Sequence, residues 1–125
     1  MHARSPEELI ALLAAAFNSG DLDAYMDAYE TEATFVVPPD GNEAHGKEQI
    51  RRATEPFLSL EVNLQITVAR TIESDGLALS QTRWTLVGID HERNRIELSG
   101  HGTLVSRRQA DGSWLIVLEN PISPD

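Results

Sequence analysis

RIELSGHGTLVSRRQADGSWLIVLENP, running from Arg95 to Pro121, reads as two β-type arms joined by Gln109-Ala110-Asp111-Gly112. Asp-Gly between apolar, β-branched runs is a strong hairpin signal, because Gly112 can take the positive φ that a tight connection often needs. The second arm carries more information than the first. In Trp114-Leu115-Ile116-Val117-Leu118 neither alternate set is polar, so a strand here is expected to be covered on both faces. One cover would be the domain's own helices and the other something else. Glu119, which ends the apolar run, and His101 on the opposite arm are therefore the first candidates for a functional role.

The segments before this hairpin also read as strands. Val62, Leu64, Ile66 and Val68 alternate with Asn63, Gln65, Thr67 and Ala69, a period of two over eight residues. Ser74-Asp75-Gly76 turns the chain into a strand from Leu77 to Val87. Its two faces are Ala78, Ser80, Thr82, Trp84 and Leu86 against Leu77, Leu79, Gln81, Arg83, Thr85 and Val87. The charged stretch from Asp90 to Asn94 turns it again.

The first half has a different period. Ser5, Pro6 and Glu8 carry the signature of a capped helix start, and Leu9, Leu12, Leu13, Ala16 and Phe17 follow on one face. Asn18-Ser19-Gly20 ends that helix, and Asp21 caps a second on which Leu22, Tyr25, Met26 and Tyr29 recur at helical spacing. Both tyrosines read as packing residues. A short β run from Ala33 to Val37 stops at Pro38-Pro39, and Asp40 to Gly46 reads as a polar loop. A third helix is expected up to Leu58, presenting Ile50, Ala53, Thr54 and Phe57. Pro56 predicts a kink or an early end near Ala53 to Glu55. Helices first and an antiparallel meander afterwards indicate an α+β domain with the helices on one face of a curved sheet.

Composition narrows the function. At 125 residues the chain is expected to form one domain with a core of its own. It has no cysteine, which removes disulfides, thiolate metal sites and a cysteine nucleophile. Twenty acidic residues against ten basic ones, a net charge of −10, disfavour nucleic acid or an anionic membrane and favour a small neutral or cationic ligand. No apolar run reaches membrane-spanning length, and Glu7 and Glu8 ahead of the first apolar run argue for a domain helix rather than a signal peptide. A cytoplasmic protein is the expectation. The histidines at 2, 45, 91 and 101 lack His-x-His or His-x-x-x-His spacing, so no metal site is expected. No nucleotide motif is present either, and no cofactor is expected.

Four short motifs, in this order, carry a resemblance. They are Asn18-Ser19-Gly20-Asp21-Leu22-Asp23, then Glu32-Ala33-Thr34-Phe35, then Gly46-Lys47-Glu48-Gln49-Ile50-Arg51, and finally Asp111-Gly112-Ser113-Trp114 through Glu119-Asn120-Pro121. Together they resemble the nuclear transport factor 2-like superfamily, in its ketosteroid isomerase-like and SnoaL-like branch. The resemblance spans nearly the whole chain. It implies a bent antiparallel sheet wrapped around three helices, a cone open at one end to an apolar pocket, and a homodimer formed through the outer sheet face.

The resemblance also implies positions for steroid isomerase chemistry, and this chain does not fill them. Leu13 stands where the first-helix tyrosine belongs and Val37 where the carboxylate base belongs. No acid occurs from Leu98 to Ser106, where the oxyanion donor would sit. Apolar binding alone cannot replace a base and an oxyanion donor, so that reaction is not expected. By the same register Leu115, Val117 and Glu119 face the cavity, as do Ser80, Thr82 and Trp84.

His101 shares a parity with Thr103 and Val105, while Gly100 and Gly102 leave room for a bulge that would change it. A His101–Glu119 pair would serve as base and orienter. The plainer alternative is a structural or solvent-facing histidine. Two functions fit these residues. One is a small-molecule-binding protein, or a cofactor-independent isomerase, lyase or hydrolase, with a pocket of Leu13, Phe17, Val37, Phe57, Thr82, Trp84 and Val117 joined by Glu119. The other is an association module that works through the outer sheet face, with its cavity filled.

Overall fold

The computed structural model describes residues 2–123. Helix α1, Pro6–Ser19, begins as its sequence dictates: Ser5 Oγ accepts from Glu8 N at 3.1 Å, with Pro6 at the first helical position. The Glu8 carboxylate reaches one residue further back than a capping box requires, accepting from Arg4 N at 2.9 Å. Leu9, Ile10, Leu13, Ala16 and Phe17 are the buried face of α1. Asp21 caps α2, Leu22–Met26, through Ala24 N at 3.0 Å.

Helix α2 is shorter than its periodicity suggests. Tyr29 is not on it but opens strand β1, Tyr29–Val37, which starts four residues before the expected Ala33. The segment expected as a loop contains a short strand, β2, Asn42–His45, which pairs antiparallel with β1. Helix α3, Gly46–Leu58, does not stop before Pro56. The proline falls in its last turn, where the lost N–H removes one bond, and Ser59 Oγ then donates to the Pro56 carbonyl at 2.8 Å. Strands β3 (Glu61–Ser74), β4 (Leu77–Ile89), β5 (Arg95–Arg108) and β6 (Trp114–Ser123) complete the chain.

Six strands form one open mixed sheet in the order β2-β1-β6-β5-β4-β3, antiparallel except where β1 runs parallel to β6. The helices lie on one side, α1 against β3 and α3 against β1. Asn18 fastens the end of α1 to β3 by donating to Leu64 O at 2.9 Å and accepting from Leu64 N at 2.6 Å. Along β4 the alternation read from sequence holds: Ala78, Ser80, Thr82 and Leu86 are buried beneath the helices.

Gly112, at φ +86°, makes the turn between β5 and β6, and Asp111 Oδ1 braces it by accepting from Ser113 N and Oγ. Strand β6 breaks its own alternation. Ser106 pairs with Ile116 but Val105 pairs with Leu118, so one residue of β6, Val117, is extra. Trp114 and Ile116 point to the helices before this bulge, and Glu119 does so after it, between buried Leu104 of β5 and Phe35 of β1. A straight strand would have carried Leu118 to the inner face instead.

Candidate functional site

Under the helices the sheet and α3 enclose a half-open cavity of about 90 Å³. Its walls include Phe17 of α1, Tyr25 of α2, Phe35 of β1, Thr54 and Phe57 of α3, and Leu64 and Ile66 of β3. Thr82, Trp84 and Leu86 of β4, Leu98 to Leu104 in part from β5, and Glu119, Asn120 and Pro121 of β6 close it. Trp84 is fixed by donating from Nε1 to Pro121 O at 2.7 Å. The glycines of β5 make this arrangement possible. A Cβ at Gly100 would lie 3.0 Å from the Trp84 ring, and one at Gly102 would lie 2.8 Å from Thr82 Oγ1.

Glu119 is the one acidic or basic side chain among these walls. Its Oε1 accepts a 2.5 Å hydrogen bond from Tyr29 Oη, and Tyr29 Oη lies 2.9 Å from Tyr25 Oη. While Glu119 is ionised the single Tyr29 proton is committed to the carboxylate, and the Tyr29 oxygen accepts from Tyr25. Thr54 adjoins Tyr25 and donates its own hydroxyl to Ile50 O at 2.8 Å. Glu119 Oε2 takes no hydrogen bond among the described residues.

Burial raises the Glu119 carboxyl from an ordinary value of 4.5 to about 7, against the opposing pull of the Tyr29 hydrogen bond. Both tyrosines are pushed well above the usual phenol range, first by burial and then by the Glu119 charge. Tyr29 therefore stays a neutral donor throughout the ordinary pH range. A carboxyl poised near neutrality beside an apolar cavity can hold or release a proton with little driving force either way.

The structure brings together only some of the residues singled out by sequence. Phe17, Phe57, Thr82, Trp84 and Glu119 line the cavity. Leu13 is buried in the core between α1 and the sheet, and Val37 packs against that core without reaching the cavity wall. Val117 and Leu115 are outside the lining because the bulge gives the inner face to Ile116.

His101 belongs to the other face of the sheet. It sits between Gly100 and Gly102, which approach Trp84 and Thr82 on the inner side, and it pairs with Arg83 and Ser123. The geometry thus couples Glu119 to Tyr29 and Tyr25 rather than to His101. The tyrosines were readable as an i, i+4 pair, but their meeting with an acid 90 positions away from Tyr29 was not. Among the described residues no three histidines, aspartates or glutamates are grouped to hold a metal. No helix among them is long and apolar enough to cross a membrane.

The description of the SnoaL-like domain matches residues 10–117 of this chain. The chain belongs to the SnoaL-like domain family. Solved structures of NTF2-like and ketosteroid isomerase-like proteins share the fold of this SnoaL-like chain. A putative calcium/calmodulin dependent protein kinase II association domain from Xanthomonas campestris is 19% identical, with a TM-score of 0.79 over 94% of this chain and 84% of that one. A ketosteroid isomerase-like protein from Erwinia carotovora atroseptica is 18% identical, TM-score 0.79, covering 94% of each chain. An NTF-2 like protein of unknown function from Shewanella oneidensis is 24% identical, TM-score 0.73, over 90% of this chain and 92% of that one. At these identities the likeness is one of fold. No curated protein matches the sequence.

Proposed function

We propose that this SnoaL-like protein binds a small, mainly apolar molecule in the cavity, and that Glu119 is the group that exchanges a hydrogen bond or a proton with it. The observation that carries the reading is the Glu119 carboxyl itself. It borders an apolar cavity, is oriented by Tyr29 through Oε1, keeps Oε2 for a guest, and has its pKa raised to about 7 by burial. If the guest is turned over, the reaction is a cofactor-independent isomerisation, elimination or hydrolysis in which Glu119 is general acid or base and Tyr29 positions it. The cavity is smaller than the roughly 300 Å³ of a drug-sized pocket, so the guest is a small ring or branched chain, or the end of a longer molecule.

The test is a small-fragment screen read by NMR on the Trp84 indole N–H. Binders are expected to shift that signal, and Glu119→Gln is expected to weaken the hydrogen-bonding fragments by about tenfold, or about 1.4 kcal/mol. Fragments that leave Trp84 and Thr82 unmoved, or a Glu119→Gln variant that binds every fragment as well as before, overturn the proposal.

A specific feature favours self-association as a second property. Ile72, Leu79, Val105 and Leu118 are cross-strand neighbours in one row over four strands of the outer face, and three of them are 45%, 36% and 39% exposed (Ile72, Leu79 and Leu118). An apolar row of this kind is suited to a second copy of itself, and two solved structures of the same fold are putative association domains. Sedimentation equilibrium at micromolar concentration is expected to give twice the chain mass, and Leu79→Asp the mass of one chain. A monomeric unaltered protein rules the dimer out.

A further inference from the structure

We propose that the cavity's guest is a small organic cation, an amine or a methylated ammonium carried on an apolar body. This rests on the cavity reading above and gives it a ligand class. Three observations converge on it. All three phenylalanines of the chain, one of its two tryptophans and one of its two tyrosines face this one cavity. Aliphatic walls would serve an uncharged hydrocarbon equally well, whereas aromatic faces present negative charge density that attracts an ammonium group. Neither lysine, arginine nor histidine lines the cavity, so Glu119 lacks a counter-ion there, and its Oε2 has no partner among the described residues. A part-buried carboxylate in an apolar cavity with a hydrogen bond on one oxygen only is costly, and a guest that brings a positive charge to the other oxygen offsets that cost. The chain's net charge of −10 concentrates cations near its surface before they bind.

The groups that meet Glu119 are few. Tyr29 of β1 and, through it, Tyr25 of α2 are titratable; the flanking strands present Phe35 and Leu104, and α3 presents Thr54 and Phe57. Neither tyrosine ionises in the neutral range, so the pH dependence of a permanently charged guest would report Glu119 alone.

Choline and the uncharged alcohol in which a carbon replaces its nitrogen have the same shape and differ in charge. Titrated calorimetrically and by NMR on the Trp84 and Thr82 signals, choline is expected to bind at least about tenfold tighter than the alcohol at pH values above the Glu119 pKa. Its affinity should fall by about tenfold for each unit of pH below about 7 and level off above it. Glu119→Gln should abolish the pH dependence of choline binding and shrink the preference for choline over the alcohol. If the alcohol binds in the cavity as tightly as choline, or if choline binds better as pH falls, the cation assignment is overturned while the cavity reading stands. If neither compound moves the cavity signals, both are overturned.

Discussion

The stability advantage of Glu119→Gln over the unaltered protein is expected to grow by about 3 kcal/mol between about pH 4 and about pH 8, read from urea unfolding at matched pH values. Burial raises the folded-state pKa of Glu119 to about 7 from 4.5, whereas the unfolded chain keeps the ordinary value. Below that lower value the carboxyl is protonated in both states and contributes no difference. Between the two values the unfolded chain releases the proton and the folded protein keeps it. The unfolded state therefore binds fewer protons, and stability falls as pH rises until the folded pKa is passed. Glutamine has no such titration and can still accept from Tyr29, so the two proteins diverge over this window. A gap that stays constant with pH would mean that Glu119 titrates normally. A gap that closes would mean that its carboxylate is stabilised in the fold, which burial without a cation does not do.

The hydrogen-bond chain explains how such a group is tolerated. With Glu119 ionised, Tyr25 donates to Tyr29 and Tyr29 to the carboxylate. With Glu119 protonated on Oε1, the same contacts can run the other way, from carboxyl to Tyr29 and from Tyr29 to Tyr25, while the Thr54 proton stays on the Ile50 carbonyl. Both protonation states leave the buried hydroxyls satisfied. The site can change charge without breaking the packing around it.

Local signals decide structure where the physics is local. The capped start of α1, the Asp111-Gly112 turn and the alternation along β4 depend on residues adjacent in sequence, and the structure has each of them. The departures arise where a distant partner decides. Tyr29 continues the i, i+4 spacing of Tyr25 yet joins the sheet, because a parallel partner in β6 is available to it. The segment around Asn42–His45 looks like a loop until β1 supplies its ladder. Strand β6 is the subtlest case. Counting alternate residues back from Glu119 assigns Leu115 and Val117 to the inner face, and the bulge cancels that assignment while leaving Glu119 inside. Nothing in five consecutive apolar residues marks which of them is the extra one. His101 kept its simple parity and faces away from the cavity, for the opposite reason: Gly100 and Gly102 provide close approach to Trp84 and Thr82 rather than a change of face.

That bulge sets up a direct comparison between Ile116→Ala and Leu118→Ala. In a straight strand the two positions share a face and their truncation would cost similar amounts. Here Ile116 is 0% exposed, opposite Ser106 and Tyr29, and its N–H donates to the Ala28 carbonyl at 2.7 Å, while Leu118 is 39% exposed on the outer face. Ile116→Ala removes side-chain atoms from beneath the helices, where the surrounding sheet cannot collapse to fill the space, and is expected to cost about 3 to 4 kcal/mol. Leu118→Ala removes atoms that already meet water and should cost less than about 1 kcal/mol within a single chain. Chemical denaturation of both variants at low protein concentration gives the two numbers. Equal costs would place Ile116 and Leu118 on one face and remove the bulge, and with it the inward placement of Glu119. Repeating the Leu118→Ala measurement at rising protein concentration separates fold from assembly. A cost that grows with concentration belongs to the outer-face dimer, because truncation then weakens a contact that only the associated state makes.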